Sequence, residues 1–291
     1  MRNLNESKQD MGAVVVTGTS TGIGRACALR LDAMGFPVFA GVRRKVDGEA
    51  LREEGSERLT SLLIDITDGA SIAAAAEVVA AAVGEAGLSG LVNNAGILVP
   101  GPLEFIPIAE VRRQLEVSAI GHIAVTQAFL PLLRKGRGRI VHIGSINGRV
   151  AAPLMGPYCA AKFALEALTD VLRMELRPWG IQVVLIEPGS TDTPIWDKGI
   201  AKSEEIQQSL PRWAQDLYAP AVAAMGEAAA RMRKAAIPPD VVARAVAHAL
   251  TARRPRTRYL VGRDARLLAA LAKILPDRAL DSLIARQMGL R

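Results

Sequence analysis

The chain has 291 residues, with 36 Lys and Arg against 29 Asp and Glu, and a formal net charge of +7. Half of it is hydrophobic, only 4% is aromatic, and the mean hydropathy is +0.20. That balance excludes a disordered chain and disfavours a nucleic-acid reader built on aromatic stacking. Cys27 and Cys159 are too few and too far apart for a disulfide framework or a structural zinc site, so a reducing compartment and no metal are expected. The stretch from Met1 to Gly12 is polar and lacks a secretory core, and no run reaches about 20 uninterrupted apolar residues. A cytoplasmic protein with no transmembrane segment is expected. The basic residues are scattered, and no motif points to a nucleic-acid partner.

Short branched apolar runs recur at 13–17, 37–41, 61–64, 90–93, 139–143 and 181–186, with a seventh at 258–262, separated by helix-length segments. This repetition predicts a doubly wound α/β fold: one parallel sheet of about seven strands with helices on both faces. No repeat or low-complexity linker interrupts it, so one Rossmann-type domain is expected over 1–291. Residues 194–239 break the rhythm and carry Trp196, Trp213, Tyr218, Met225 and Met232. They are expected to form a substrate lid, because sites in open α/β sheets lie beyond the carboxyl ends of the strands; the alternative is a surface helical insertion. Residues 264–291 space Leu267, Leu268, Leu271, Ile274, Leu280 and Ile284 as amphipathic helices, interrupted at Pro276. Packing on the body of the domain is expected, with a weak peripheral membrane contact or a subunit contact as alternatives.

Gly18, Gly22 and Gly24 follow the first strand in Thr17-Gly-Thr-Ser-Thr-Gly-Ile-Gly24 and open a helix. Glycines there permit a tight turn, close approach of a pyrophosphate to backbone, and helix packing on the sheet. Thr19, Ser20, Thr21 and Ile23 complete the expected dinucleotide loop. The second strand ends in Gly41-Val-Arg-Arg-Lys45 with no acid for the adenosine ribose. Cations there favour a 2′-phosphate, with Arg43 best placed and Arg44 or Lys45 in support, so NADP(H) is preferred and NAD(H) is the alternative. Asp65, followed by Ile66, closes the third strand and is a candidate for the adenine amino group or for capping the helix that begins near Asp68.

Tyr158 and Lys162 lie four apart in a helix-forming segment and share one face. An ammonium a few ångströms from a phenol would lower its pKa from about 10 and make it a general acid/base near neutrality. Ser145, at the end of the fifth strand, could donate a hydrogen bond to a substrate oxygen in the same space. Cys159 points away from that face and is expected to be a buried thiol. His122, His142 and His248 fall on separate elements and make no ligand set; structural roles are expected for them.

Together these motifs resemble the short-chain dehydrogenase/reductase family over nearly the whole chain. The resemblance rests on Thr17 to Gly24, on Asn93-Asn-Ala-Gly96, on Ser145, on Tyr158 with Lys162, and on Pro188-Gly-Ser-Thr-Asp-Thr193. It implies Tyr158 as proton donor or acceptor, Ser145 polarising the carbonyl or hydroxyl, and Lys162 binding nicotinamide ribose while tuning Tyr158. It also implies that Asn93 braces the sheet within the cofactor-binding set, that Ala95 and Gly96 line the cofactor path beside Pro188, Gly189 and Thr191, and that Thr193 holds the carboxamide. Ser118 stands where the family has a catalytic Asn, in Val117-Ser-Ala-Ile-Gly121, and is expected to serve a rebuilt, water-linked relay. Phe39 to Arg43, Ile186 to Gly189 and the extended C-terminus are similar to the retinol, hydroxysteroid and hydroxybutyrate dehydrogenase branch. The implied activity is hydride transfer between nicotinamide and a hydrophobic secondary alcohol or ketone that is steroid-, retinoid- or terpenoid-like. The implied assembly is a homodimer or homotetramer through the 108–133 segment and the Tyr158 helix. A dinucleotide-sensing protein without turnover is the alternative from a different class.

Overall fold

A computed structural model describes residues 11–290, so the reading of residues 1–10 lies outside it. In chain order the elements are β1 (Val14–Val16), α1 (Gly22–Ala33), β2 (Val38–Val42), α2 (Lys45–Arg52), β3 (Leu59–Leu63), α3 (Gly69–Val83) and β4 (Gly90–Asn93). Then come α4 (Ile108–Leu115), a π-helical turn (Glu116–Ile120), α5 (Gly121–Lys135), β5 (Arg139–Ile143), α6 (Gly156–Glu175) and β6 (Gln182–Pro188). Two long helices follow, α7 (Ile195–Ser209) and α8 (Arg212–Lys234), then α9 (Pro239–Thr251), β7 (Arg258–Val261), α10 (Arg263–Ile274) and α11 (Asp277–Gln287).

The seven strands form one parallel sheet in the order β3-β2-β1-β4-β5-β6-β7, as the apolar runs predict. Strands buried on both faces need no polar alternation, and Val14, Val15 and Val16 are all fully buried. Val14 and Val16 pack towards α1 and α9 together with Leu31, Val246 and Leu250, whereas Val15 and Leu91 pack on the other face with Val79, Val125 and Phe129. Strand order reverses between β1 and β4, and the crevice beyond their carboxyl ends is where such a sheet binds ligands.

Two helical stretches, Gly69–Ala86 and Ile108–Lys135, are long and apolar enough by length and composition to cross a membrane, although charged residues interrupt both. In the fold each lays a face on the sheet: Ile72, Ala75 and Val79 from the first, Val125, Phe129 and Leu133 from the second. The C-terminal helices also pack inward. Ala265, Ala269 and Ile284 cluster with Ile146 and Val150, which follow Ser145. Asp264 anchors this packing: its carboxylate accepts the Ser190 backbone N–H at 2.7 Å. It lies so close to Gly189 that a Cβ there would overlap it.

Candidate active site

The loops after β1, β2, β4, β5 and β6 open onto a cavity of ≈ 2040 Å³ that α7, α8 and α11 close from the other side. That is about twice the upper range of ordinary small-ligand pockets and suits two molecules held together. At one end Gly18 and Gly22 adopt positive φ, +68° and +59°. A Cβ on Gly18 would stand 2.7 Å from Ala95 Cα, and one on Gly24 would overlap the Gly18 carbonyl and the Asn94 amide. Thr21 precedes α1 without a side-chain cap, so the first amides of α1 remain for an anion. Thr19 is buried and donates its hydroxyl to Gly41 O at 3.0 Å; it braces the loop from behind, while Ser20, Thr21 and Ile23 line the cavity.

Asn94 was not singled out by sequence, yet it ties the loop together. Its amide donates to Thr17 O (2.9 Å) and Gly18 O (3.0 Å), and its N–H donates to Thr17 Oγ1 (3.0 Å). Asn93 lies one layer deeper, fully buried, with Nδ2 donating to Thr126 Oγ1 at 2.9 Å, and it does not line the cavity. Strand alternation was the available signal: Leu91 and Asn93 share the α5 face, whereas Asn94 lies beyond the strand at the crevice.

Arg43 lines the cavity, and among the described residues it has no ion-pair partner. Arg44 is engaged by Asp47, through contacts of 2.9 and 2.5 Å, which holds that carboxyl below its usual range. Asp65 does not cap a helix; Asp68 does, accepting from Ala70 N–H at 2.9 Å. Burial would raise the Asp65 carboxyl, but donation from Thr67 N–H and hydroxyl, aided by Arg43, holds it low. Asp65 and Ile66 both face the cavity, as do Gly96, Pro188, Gly189, Thr191 and Thr193.

Ser145, Tyr158 and Lys162 meet at the carboxyl end of β5. Ser145 Oγ accepts the Asn147 N–H at 3.1 Å, which fixes the hydroxyl at the start of a 3₁₀ turn. Lys162 Nζ donates to Ile143 O at 2.9 Å and stands 5.7 Å from the centroid of the Tyr158 ring. Burial pushes the Tyr158 phenol above its ordinary value, with Ser145 opposing and Cys159 adding to the rise. Among the groups acting on the phenol, Ser145 is the one that lowers it. The nearby Lys162 ammonium is penalised by the same burial, which lowers it to about 8. Cys159 is a buried thiol raised by the same desolvation.

Ser118 sits in the π-helical turn, fully buried and away from the cavity lining. Its hydroxyl accepts Gln114 Nε2 at 2.8 Å and the Ile97 N–H at 3.4 Å, while Gln114 also spans Ile97 O and Val99 N–H. Ser118 is thus engaged with the loop after β4.

The wall made by α7, α8 and the C-terminal helices is largely apolar, with Trp196, Val222, Met225, Met232, Leu268 and Met288 facing the cavity. Trp196 donates its indole N–H to Thr191 O at 2.9 Å, which leaves the ring face for packing. Trp213 and Tyr218, expected among these, instead stand edge-on to Phe105 on the outside, at 5.5 and 5.6 Å. They pin α8 to the loop before α4.

The profile described as short chain dehydrogenase matches residues 12–204. The chain belongs to the short-chain dehydrogenase/reductase family. Retinol dehydrogenase 5 of Mus musculus is 41% identical over 93% of this chain and 87% of its own length. The NADPH-dependent 3-dehydrocapnine reductase of Ornithobacterium rhinotracheale is 35% identical over 96% and 98%. The human 17-beta-hydroxysteroid dehydrogenase type 6 is 36% identical over 94% and 87%. A short-chain dehydrogenase from Burkholderia cenocepacia solved with NADP superposes with a TM-score of 0.71 at 27% identity, covering 96% of this chain and 98% of that one. This short-chain dehydrogenase/reductase is an oxidoreductase of the retinol and hydroxysteroid branch, of the alcohol dehydrogenase and carbonyl reductase kind. Its cofactor is a nicotinamide dinucleotide, which the glycine cradle, the uncapped α1 amides and the cavity volume all fit.

Proposed function

We propose that the enzyme uses NADP(H) and interconverts a bulky apolar secondary alcohol and its ketone. The observation that carries this reading is the convergence on one cavity of Arg43, without an ion-pair partner among the described residues, the Ser145, Tyr158 and Lys162 cluster, and an apolar wall from α7, α8 and α11. The nicotinamide supplies or accepts the hydride. Tyr158 holds the proton at its phenol oxygen, Ser145 donates a hydrogen bond to the reacting oxygen, and Lys162 offers its remaining N–H groups to ribose hydroxyls. Burial excludes water around this cluster and strengthens each of these contacts.

Support for the apolar substrate comes from the wall and from relatives named for retinol and hydroxysteroids. Support for NADP(H) comes from Arg43, from a second strand that ends without an acid, and from a relative whose name includes NADPH. The apolar exposed face of Ile108, Ile120, Phe163, Val171 and Met174 on the α4–α6 side supports pairing of two copies.

The test follows NADPH and NADH oxidation with a steroid ketone and with a bulky terpenoid ketone, for the wild type and Arg43→Ala. The expected result is a kcat/KM preference for NADPH that narrows about tenfold or more in the variant, because a charge-assisted contact contributes about 1.5–3 kcal/mol. An unchanged preference refutes the role of Arg43. No turnover of either carbonyl with either cofactor refutes the substrate class.

A further inference from the structure

A charged cluster that the reaction as described does not use lies outside the cavity lining, between α6, β6, β7 and the turn after β5. Glu187 on β6 is fully buried, and both of its oxygens take Arg149, Nε donating to Oε1 and Nη2 to Oε2. Glu166 on α6 accepts the Arg258 Nε–H on Oε2 at 3.1 Å, and the same guanidinium reaches Asp170 at 2.7 Å. These side chains converge because of register. Arg258 is the partner of Leu185, two residues before Glu187, so strand alternation sends Arg258 and Glu187 to the same side of the sheet, where α6 lies. Glu166 Oε1 is buried there with no partner.

Hydrogen-bond accounting says what that oxygen is. An ionised carboxylate only accepts, and a buried acceptor with no donor is costly. A protonated carboxyl can instead donate, and the Glu187 carboxylate is within its reach. Both Glu187 oxygens are engaged by Arg149, so the proton falls to Glu166 Oε1. Burial and the Glu187 charge accordingly raise the Glu166 carboxyl to about 7, with Arg258 opposing. Other charged groups pack around it. On α6 these are Lys162, one turn before, and Asp170 with Arg173, which pair at 2.5 Å. His142 on β5 meets α6 at Thr169 and is kept neutral by burial, and Arg266 on α10 lies beside β7 with Nε 3.4 Å from Leu260 O.

The cluster bears on Ser145 through the segment that carries it. Residues 144–149 form a strap pinned to consecutive residues of β6: Gly144 N–H donates to Ile186 O at 2.7 Å, and Arg149 pairs with Glu187. The middle of the strap rests on α6. Gly148 N–H donates to Ser145 O at 2.9 Å, and a Cβ on Gly148 would stand 2.9 Å from Lys162 O and 3.0 Å from Glu166 Cγ. We propose that a proton held on Glu166 and donated to Glu187 closes this strap against α6, which makes Glu166 a positioning residue for the Ser145 hydroxyl beside Tyr158 and Lys162. When that proton leaves to water, two buried carboxylates face each other and repel. The repulsion moves Glu187 with Arg149 away from α6 and loosens Gly148 from the Lys162 turn. The Ser145 hydroxyl then loses its fixed placement relative to the phenol, and misplacement of this kind lowers the rate of the chemical step. Turnover therefore falls as pH rises through neutrality.

The effect on turnover rests on the proposed ketone chemistry; the shared proton and the strap do not. Glu166→Gln tests both, because its amide still donates towards Glu187 and cannot ionise, whereas Glu166→Ala removes the donor. In ¹³C spectra of glutamate-labelled protein, one carboxyl is expected to titrate near neutrality in the wild type and to be missing in Glu166→Gln. No such carboxyl in the wild type, or its persistence in the variant, overturns the shared proton. Amide exchange, corrected for the intrinsic rate, is expected to show Gly148 and Arg149 losing protection several-fold from about pH 6 to about pH 8 in the wild type and keeping it in Glu166→Gln. Equal wild-type protection at both pH values, or the same loss in the variant, overturns the strap. With a steroid ketone and NADPH, wild-type kcat is expected to fall several-fold over that window while the ketone KM changes little. Glu166→Gln is expected to hold the low-pH kcat across it, and Glu166→Ala to be several-fold slower throughout. Coincident pH profiles for the wild type and Glu166→Gln overturn the positioning role. Should Glu166→Gln not fold, the wild-type titration and exchange decide alone. A wild type that turns over no ketone removes the substrate reading and leaves those same two measurements to decide the rest.

Discussion

Replacing Lys162 by Met is expected to stabilise the chain while abolishing turnover. Lys162 is 5% exposed, and burial lowers its ammonium from 10.5 to about 8. Below both values the folded chain carries a desolvated charge that the unfolded chain keeps in water, and the difference is worth about 3 kcal/mol. Met conserves the length and apolar stem but forfeits the bond to Ile143 O, a loss of about 1 kcal/mol. The net gain is about 2 kcal/mol, which corresponds to a rise of about 5 °C in Tm for a chain of this size. The sign also fixes a pH signature. Between about 8 and 10.5 the unfolded chain binds a proton that the folded chain has released, so wild-type stability rises with pH across that window. The variant lacks this component. Thermal melts of both proteins at neutral pH and across the alkaline window provide the check. A Tm for Lys162→Met below that of wild type, or parallel pH slopes for the two proteins, refutes the claim that the site holds its cation at the expense of the fold.

Other perturbations separate the parts of the site. Tyr158→Phe is expected to keep dinucleotide affinity within about twofold and to remove hydride transfer, measured by fluorescence titration and by NADPH oxidation; retained turnover would dismiss the phenol as acid or base. Gly18→Val places a branched side chain at φ +68° against Ala95 and is expected to weaken dinucleotide binding at least tenfold, together with about 1–3 kcal/mol of stability, read by titration and urea unfolding. Burial and the neighbouring Glu187 raise the Glu166 carboxyl above its ordinary range. Its contribution to stability is therefore present at low pH and lost as pH rises through the raised value. Glu166→Gln is expected to flatten the fall in the urea midpoint between the ordinary carboxylate range and neutrality, and an unchanged slope would place the titration elsewhere.

The parts of this enzyme that sequence makes legible are those set by period and by backbone. Val14 to Val16, Leu91 with Val92, and Ile140 with Val141 are branched because both faces of a parallel sheet are buried, and that requirement can be read without coordinates. Gly18, Gly22 and Gly24 are equally legible: the first two take positive φ, which side chains rarely adopt, and no Cβ fits the approach of Gly18 to Ala95 or of Gly24 to Asn94. The face a polar side chain chooses at the end of a strand is less legible. Asn93 and Asn94 are chemically identical neighbours, and only the pleat sends one behind the sheet and leaves the other to clasp the loop. Ser118 illustrates the same limit, since its partner Gln114 is one helical turn away and diverts it to the loop after β4.

Enclosure acts on both members of the Tyr158 and Lys162 pair. Four apart on a helix, a lysine and a tyrosine look like a cation activating a phenol, but proximity is only one of the terms that set a pKa. Enclosure penalises both charged forms at once: the phenolate of Tyr158 is disfavoured, and so is the ammonium of Lys162. A site built this way holds its catalytic groups neutral or strained until hydrogen-bond donors and acceptors are brought to them. Ser145 supplies one such donor to the phenol, and the Ile143 carbonyl supplies one acceptor to the ammonium. The groups that finish the arrangement must therefore be polar, buried and unspent.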